Sequence, residues 1–284
     1  QIFNPNFKSS IIFTERTINV GKGNQNVIHN GKNSVNYEGY FYRYVAEFYD
    51  IICRNNLFVN DQQYILNGLV FSFNKWIDNS LKTHGDKYSF LMHLRLHIGA
   101  NWAIVALYLD KYDPKNAYLY KGFFFFFYKQ LKLSLKKRNV NSNFYYIWNS
   151  TYPEKVTSLL AKQKRYSPEI QDVSHGNHVV TYILTSYKLS KNKWSETDIK
   201  YLINTLKYII SKNNGAFADN VDGTASVNAE MRKTGWKQTD GWMKLINYDD
   251  SLRDLYNSYY LKDKNKVMID KSSLALQFYS NMVK

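Results

Sequence analysis

The chain has 284 residues, of which 44% are hydrophobic and 21% are charged. This balance excludes an intrinsically disordered chain and supplies enough apolar surface for one large core. A formal net charge of +15 favours an anionic partner, such as nucleic acid, anionic lipid or acidic polysaccharide. The single cysteine, Cys53, excludes a disulfide within the chain.

The first half of the chain is predicted to begin with an extended arm and to continue as helices. Residues 1–38 are polar, rich in Asn and Gly, and without a clear period. Apolar residues at helical spacing then predict four helices, the third of which ends at Asp113 and Pro114. We expect these helices at about 41–52, 61–77, 97–112 and 114–138.

The fourth of these segments is strongly basic. Between Pro114 and Val140 it contains seven Lys and Arg residues and no acidic residue. Its apolar run, Gly122–Tyr128, is far too short to span a bilayer, so no membrane span is expected. We predict a buried helix segment whose lysines form a solvated face.

The second half of the chain alternates irregular and helical stretches. A long ordered loop is expected at 140–173, where Asn, Ser, Tyr and two prolines interrupt the helical pattern. Helices are predicted from Ser174 and from the capping sequence Ser195–Asp198, and Asn213–Gly215 ends the second of them. A second loop at 215–240 and weaker helices at about 240–260 and 271–283 complete the chain.

The order of these elements predicts an all-α fold made of antiparallel helical hairpins. No alternating strand pattern and no strict repeat of a solenoid is visible in the sequence. Long loops after alternate helices favour an incomplete α/α toroid, in which the connections on one face build a cleft. No change in composition divides the chain, so a single helical domain is expected over residues 1–284, with the arm at 1–38.

The segment Gln171–His178 is the strongest candidate for chemistry. Ser174 is a predicted N-cap, which places His175 and His178 in the first turn of a helix and on one face. A helix N-terminus favours neutral imidazole and attracts anions, so His175 is a candidate general base and Asp172 a candidate orienting group. Two alternatives remain open, since these residues also fit a structural helix cap or a metal site.

This segment carries a resemblance to known proteins. Asp172-Val173-Ser174-His175-Gly176-Asn177-His178 at the start of a helix resembles a segment of α/α-toroid carbohydrate-active proteins, of the polysaccharide-lyase and six-hairpin-glycosidase type. The loop Asp219–Thr224 resembles the loop that follows the next helix in those proteins. The resemblance implies a cleft that binds a polysaccharide.

A second group of polar residues lies in the third predicted helix. His93, His97 and Asn101 are four residues apart and share one helical face, beside Arg95 and Trp102. We predict that His97 and Asn101 line the cleft, where their side chains hydrogen-bond a carboxylate and make its neighbouring proton more acidic. Arg95 is a candidate anion-binding residue and Trp102 a candidate sugar-stacking residue.

The long loop adds further candidates. Tyr152 is a candidate acid or base if its hydroxyl lies near His175, and Trp148 is a candidate stacking residue. Arg165 is expected to hold carboxylate or sulfate groups, and His178 and Asp172 complete the predicted substrate-binding set. The loop aromatics also fit a purely structural role, closing one end of the toroid.

These observations favour an exported polysaccharide lyase that cleaves an acidic polysaccharide by β-elimination. Asn, His, Arg and Tyr supply the required groups, so neither a metal nor an organic cofactor is expected. No nucleic-acid-reading motif is present, which disfavours a nucleic-acid partner. A glycoside hydrolase on the same scaffold and a non-catalytic polysaccharide-binding protein remain alternatives. The chain begins at Gln1 without an apolar signal segment, so we expect a mature secreted or periplasmic protein.

Overall fold

The structure is a computed structural model. It describes residues 34–163, 169–212, 216–225 and 240–262, and the short paired strands β1 (Ile18–Asn19) and β2 (Asn26–Val27). Several predictions lie wholly or partly outside the described residues: most of the arm at 1–38, the position of Arg165, the helix stop at Asn213–Gly215, most of the loop at 215–240, and the helix at 271–283.

The described residues are mostly helical, which confirms the coarse prediction of fold class. The helices are α1 (Val35–Arg54), α2 (Val59–His84), α3 (Ser89–Met92), α4 (Leu96–Tyr112), α5 (Ala117–Ser134), α6 (Ser158–Ala161), α7 (Val173–Lys188), α8 (Glu196–Asn204), α9 (Asp240–Met243) and α10 (Leu252–Lys262). A π-helical turn at Thr205–Ile210 continues α8, and 3₁₀ turns lie at Pro114–Asn116 and Lys244–Asn247.

Two predicted boundaries are wrong. Helix α1 begins at Val35, inside the predicted arm. Helix α5 ends at Ser134, and the chain then forms an antiparallel hairpin of β3 (Lys136–Val140) and β4 (Asn143–Ile147) where helix and loop were expected. Four of the five β3 residues are exposed, so this strand has no alternation of apolar and polar residues that would reveal it.

Two pairs of helices form antiparallel hairpins. In the first, Glu38 near the start of α1 accepts hydrogen bonds from Lys75 and Trp76 near the end of α2. In the second, Asp110 near the end of α4 lies 3.7 Å from the Lys121 ammonium near the start of α5. These long-range contacts bury the apolar face of each helix against its partner, which is the arrangement that the helical periodicity predicts.

Helices α1, α4 and α7 lie side by side and run in the same direction. Trp102 near the start of α4 donates a hydrogen bond to the Val35 carbonyl at the start of α1, and Tyr112 at the end of α4 reaches Asp50 towards the end of α1. The same direction holds between α4 and α7, whose early residues Asn101 and His178 are hydrogen-bonded. The N-terminal turns of all three helices therefore lie at one end of this layer.

The contact between α1 and α4 depends on one glycine. A Cβ atom on Gly39 would lie 2.6 Å from Trp102 Nε1, which is closer than non-bonded atoms approach. Only a residue without a side chain allows the indole of Trp102 to lie flat between the two helices. The close approach brings the first turns of α1 to the same place as those of α4 and α7.

The apolar run in α5 faces both the core and the surface. Phe123, Phe124 and Phe127 are buried, whereas Phe125 is exposed on the opposite side. Within the run Gly122–Tyr128, this confirms a helix segment that is buried on one side, with Phe125 exposed on the other. None of the helices in the described ranges combines the length and the apolarity needed to cross a bilayer.

Candidate functional site

Three histidines from two helices meet at the N-terminal end of the α1–α4–α7 layer. The rings of His97 on α4 and His175 on α7 are stacked, with centroids 4.3 Å apart and an angle of 30° between the planes. The ring of His178 lies 5.8 Å from that of His97 and 6.2 Å from that of His175. We call His97, His175 and His178 the histidine cluster. The sequence predicted the helical faces on which these residues lie, and the structure brings the two faces together.

Asp172 orients His175 and also caps α7. Its carboxylate accepts hydrogen bonds from the His175 backbone NH at 2.8 Å and from the ring, with His175 Nδ1 2.9 Å from Asp172 Oδ2. Burial by itself raises the pKa of the Asp172 carboxyl, but the hydrogen bonds and charge of His175 lower it to about 2. An ionised Asp172 therefore fixes the orientation of the His175 ring through Nδ1. About a third of the His175 side chain is exposed, so the residue is accessible.

His178 is held in its neutral form. Its Nδ1 atom lies 2.9 Å from Asn101 Oδ1, and both side chains are almost completely buried. Burial lowers the pKa of His178 well below its usual value, and the charge of Arg43 lowers it further. Asn101 therefore positions His178, which lies directly beneath the accessible His175.

His97 is also neutral at physiological pH. Burial lowers the pKa of His97 to about 3, and a positive charge on the stacked His175 would oppose its protonation further. Its Nδ1 atom is buried and has no hydrogen-bond partner among the described residues. The ring that stacks on His175 is therefore uncharged at neutral pH, and His97 does not compete for protons there.

Helix α1 contributes three residues that the sequence analysis did not select. The Arg43 guanidinium is buried between two tyrosine rings, 5.0 Å from the centroid of Tyr40 and 4.3 Å from that of Tyr44. The ring of Tyr40 lies edge-on to His178 at 5.3 Å and is 43% exposed. The spacing of Tyr40 and Tyr44 on one helical face was the available signal, but only the fold shows that this face meets the histidine cluster.

Charges of both signs surround the cluster. His97 and His175 lie in the first turns of α4 and α7, where Leu96 NH donates to the Ser150 carbonyl and the ionised Asp172 accepts from His175 NH. Arg43 adds a buried full charge close enough to lower the pKa of His178. The neutral rings of His97 and His178 therefore lie near one buried positive charge, Arg43, and one ionised carboxylate, Asp172.

Three of the predicted site residues belong to the scaffold, and those predictions are wrong. Tyr152 is fully buried and donates its hydroxyl to the Met92 carbonyl at 2.8 Å, so it is not placed to act as an acid or base. Trp102 is fully buried between α1 and α4, and Trp148 is fully buried against Trp242 with ring centroids 6.0 Å apart. Buried rings offer no face to a sugar. Their side chains serve the core, which was the structural alternative for the loop aromatics.

Arg95 lies at the edge of the site and is already paired. Its guanidinium donates to Ser150 Oγ at 2.6 Å and to Glu169 Oε2 at 2.7 Å. The Glu169 side chain is 60% exposed, so this ion pair lies at the surface and an incoming carboxylate would compete with Glu169 for Arg95. Arg165, the other predicted cation, lies outside the described residues.

Parts of the two irregular stretches support the N-terminus of α7. The segment around Gln171 bonds to Trp148 on one side and to Val221 on the other through backbone hydrogen bonds. In the second stretch, Thr224 donates to Asp222 through its backbone NH and its hydroxyl, which closes a turn at Gly223. The described parts of the two loops therefore converge beside Asp172, which pairs with Asn220.

The neutral histidines predict a steep loss of stability in mild acid. Unfolded histidine binds a proton near pH 6.5, whereas folded His97 does so only near pH 3, so the unfolded state binds more protons between these values. Stability is therefore fully present above about pH 6.5 and falls as the pH decreases, by about 1.4 kcal/mol per pH unit for each such histidine. His178 adds a contribution of the same sign.

Urea unfolding measured from pH 7 to pH 5 tests this expectation, because ordinary carboxylates remain ionised over most of that range. The slope of unfolding free energy against pH is expected to fall by about 1.4 kcal/mol per pH unit in His97→Gln. Equal slopes for the original chain and this variant would show that His97 is not kept neutral by the fold.

Within the described residues, no group of three or more His, Cys, Asp or Glu side chains is arranged to hold a metal ion. Comparisons with protein-family models, curated proteins and solved structures found no match to the chain. The chemistry of the site therefore has to be inferred from its geometry.

Proposed function

We propose that the chain is a polysaccharide lyase that cleaves a uronate-containing polymer by β-elimination. The observation that carries the proposal is the Asp172–His175 pair, in which a carboxylate orients an imidazole whose side chain is about one third exposed. β-Elimination requires a base and an environment that stabilises negative charge on the substrate carboxylate. Both requirements match the residues at the N-terminal ends of α4 and α7.

The proposed reaction uses His175 as the base. Its Nε2 removes the proton from the carbon next to the uronate carboxylate, a carbon–carbon double bond forms, and the bond to the leaving glycosidic oxygen breaks. The protonated His175 then returns a proton to that oxygen, so no net charge is gained or lost. Asp172 stabilises the intermediate imidazolium, and the positive charge of Arg43 favours the negative charge that develops on the substrate.

Buried residues of the cluster position this base. His97 stacks on the ring of His175 and restricts its orientation, while Asn101 and His178 fill the space below it. Asn101 and His178 were expected to contact the substrate. Because both side chains are buried, we propose that they position His175 instead. Tyr40 replaces the tryptophans as the residue whose exposed ring is available for a sugar.

The wider scaffold is proposed to be an incomplete α/α toroid. Parallel helices α1, α4 and α7 would form its inner layer, with α2 and α5 returning on the outside. In such a ring the ends of the inner helices surround a cleft, which agrees with the position of the histidine cluster. We place the protein with its polymer substrate, in the periplasm or outside the cell, as part of the same proposal.

A glycoside hydrolase has less support. Hydrolysis needs one carboxyl group that stays protonated to act as an acid. Asp172 has a pKa of about 2 and is committed to His175 and to the cap of α7, and Glu169 is paired with Arg95. A non-catalytic polysaccharide-binding protein does not account for an Asp–His pair with an accessible ring.

The reaction itself is tested with the purified chain and a panel of acidic polymers, namely alginate, pectate and glycosaminoglycans. We expect ultraviolet absorbance from the unsaturated uronide to increase with at least one polymer, in step with the formation of shorter chains. Chain shortening without this absorbance would identify a hydrolase. Absence of shortening with every polymer, combined with binding, would identify a non-catalytic protein.

Tyr40 provides a prediction about substrate binding. Replacing Tyr40 with alanine removes an exposed ring beside His178 and should raise KM about tenfold, with a smaller change in kcat, because stacking contributes similarly to bound substrate and transition state. Steady-state kinetics on the polymer that the original chain degrades gives both constants. Tyr37→Ala, which removes another exposed tyrosine of α1, is the matched control. Equal KM values for Tyr40→Ala and the original chain would remove Tyr40 from the substrate site.

A further inference from the structure

The outer face of α5 carries a row of alternating apolar and cationic side chains. We call it the aromatic–lysine stripe, and it consists of Tyr118, Lys121, Phe125, Lys129, Leu133 and Lys136. Successive members are three or four residues apart, so the first five share one face of the helix, and Lys136 follows at the start of β3. At the helical rise, the part on α5 is about 22 Å long.

The apolar members of the stripe are exposed to an unusual degree. Tyr118 is 74% exposed, Leu133 is 58% exposed and Phe125 is 45% exposed. The opposite face of α5 already supplies the core, through Phe123 and Phe127 among others. The exposed residues are therefore not needed to attach α5 to the domain. Large apolar side chains interleaved with lysines along one exposed helix face are typical of a surface that lies at a membrane interface.

The charge of the stripe is uncompensated over most of its length. No acidic residue occurs between Asp113 and Glu154. Lys121 lies 3.7 Å from Asp110, but no carboxylate of the described residues lies within ion-pair distance of Lys129 or Lys136. The exposed residues Lys137 and Arg138 of β3 extend the positive region beyond the stripe. The complementary partner is anionic.

We propose that the aromatic–lysine stripe docks on the surface of a membrane that contains anionic phospholipid. Leu133 and Phe125 have no polar group that could form hydrogen bonds with a hydroxyl-rich polymer. The boundary between lipid headgroups and acyl chains accommodates such apolar side chains, next to lysines that contact phosphate. The stripe would lie in the plane of the interface, and nothing in this proposal requires α5 to enter the bilayer core. Each lysine held near such a surface strengthens binding about fivefold.

The proposal is tested by sedimentation of the full chain with vesicles. Vesicles of phosphatidylglycerol and phosphatidylcholine are expected to bind the chain, with weaker binding as salt increases, and vesicles of phosphatidylcholine alone are expected not to bind it. The double variant K129Q/K136Q should bind the anionic vesicles about 25-fold more weakly. F125S/L133S should also bind more weakly, because it removes the apolar part of the contact without removing charge.

Matched controls are available on α2, where Phe71 and Lys82 are exposed. F71S and K82Q should bind vesicles as the original chain does. Equal losses in these controls, equal binding to both kinds of vesicle, or no vesicle binding at all would overturn the proposal. If the stripe variants instead lose binding to a uronate polymer, the stripe is a polysaccharide surface and not a lipid one. The lyase activity of all these variants on soluble substrate is expected to remain, so the result does not depend on the function proposed above.

Discussion

Replacing His175 with glutamine is expected to lower the rate of polymer cleavage by about 10²–10⁴-fold, the usual contribution of a general base. Glutamine retains a side chain that can hydrogen-bond to Asp172, but it has no nitrogen that accepts a proton at neutral pH. The helix cap formed by Asp172 with the His175 backbone is unaffected. Initial rates measured by product absorbance, with circular dichroism to confirm folding, give the effect.

The matched control is His84→Gln, at the end of α2, where the ring of His84 packs against Phe90. This variant is expected to keep its activity. If His175→Gln retained more than a tenth of the original rate, the base would have to be another residue, and the Asp172–His175 pair would be a structural cap.

Replacing Trp102 with alanine is expected to lower the free energy of unfolding by about 3–5 kcal/mol, the cost typical of removing a fully buried aromatic side chain. Trp102 packs against Phe73 and Tyr42, and its indole NH bonds to the Val35 carbonyl. Loss of the ring leaves a cavity between α1 and α4 and removes the hydrogen bond from the indole to the Val35 carbonyl. Urea unfolding followed by circular dichroism measures the change.

Tyr118→Ala is the control for this variant, because Tyr118 is mostly exposed and should change the free energy of unfolding by no more than about 0.5 kcal/mol. An unchanged stability of Trp102→Ala together with a raised KM would restore the sugar-stacking role that the sequence first indicated. The expected pattern is the reverse, with reduced stability and unchanged KM in the fraction that remains folded.

Helical periodicity predicted most of the described helices, because a helix with one buried face has apolar residues at regular intervals of three or four in its sequence. The stripe Ile65, Leu69 and Phe73 is buried in α2 as its spacing indicates. The hairpin of β3 and β4 has no comparable pattern of apolar residues, since its first strand is polar and exposed. The hairpin turns tightly at Asn141 and Ser142, which both have positive φ. The Asn-Ser pair is a local turn signal, but it lies in a basic segment that the sequence analysis assigned to a helix and a loop.

The site could be predicted only in part, because sequence spacing defines a helical face but not the neighbour of that face. The pairs His97 with Asn101 and His175 with His178 were correctly assigned to faces, and they do meet. The aromatic side chains could not be sorted in the same way. The residue type of a tryptophan such as Trp148 does not show whether it lies in a core or in a cleft. Only tertiary packing distinguishes the two positions.

Arg43 is a residue of the site that spacing along the sequence did not reveal. A lone arginine among tyrosines on a helix is normally a solvent-facing residue. In this fold the rings of Tyr40 and Tyr44 enclose its guanidinium, and the close contact of α1 with α4 places it near His178. A buried charge of this kind is stable only with such support, and its effect on the site follows from the packing of α1.

We propose that the Asp172–His175 pair acts on an acidic sugar bound at the histidine cluster. A crystal structure of the inactive His175→Gln variant with a uronate oligosaccharide tests this proposal most directly. The uronate ring is expected beside Tyr40, with its carboxylate towards Arg43 and its reacting carbon within about 3.5 Å of the residue 175 side chain. An oligosaccharide bound away from the cluster, or held between two carboxylates with residue 175 outside the contact, would contradict it.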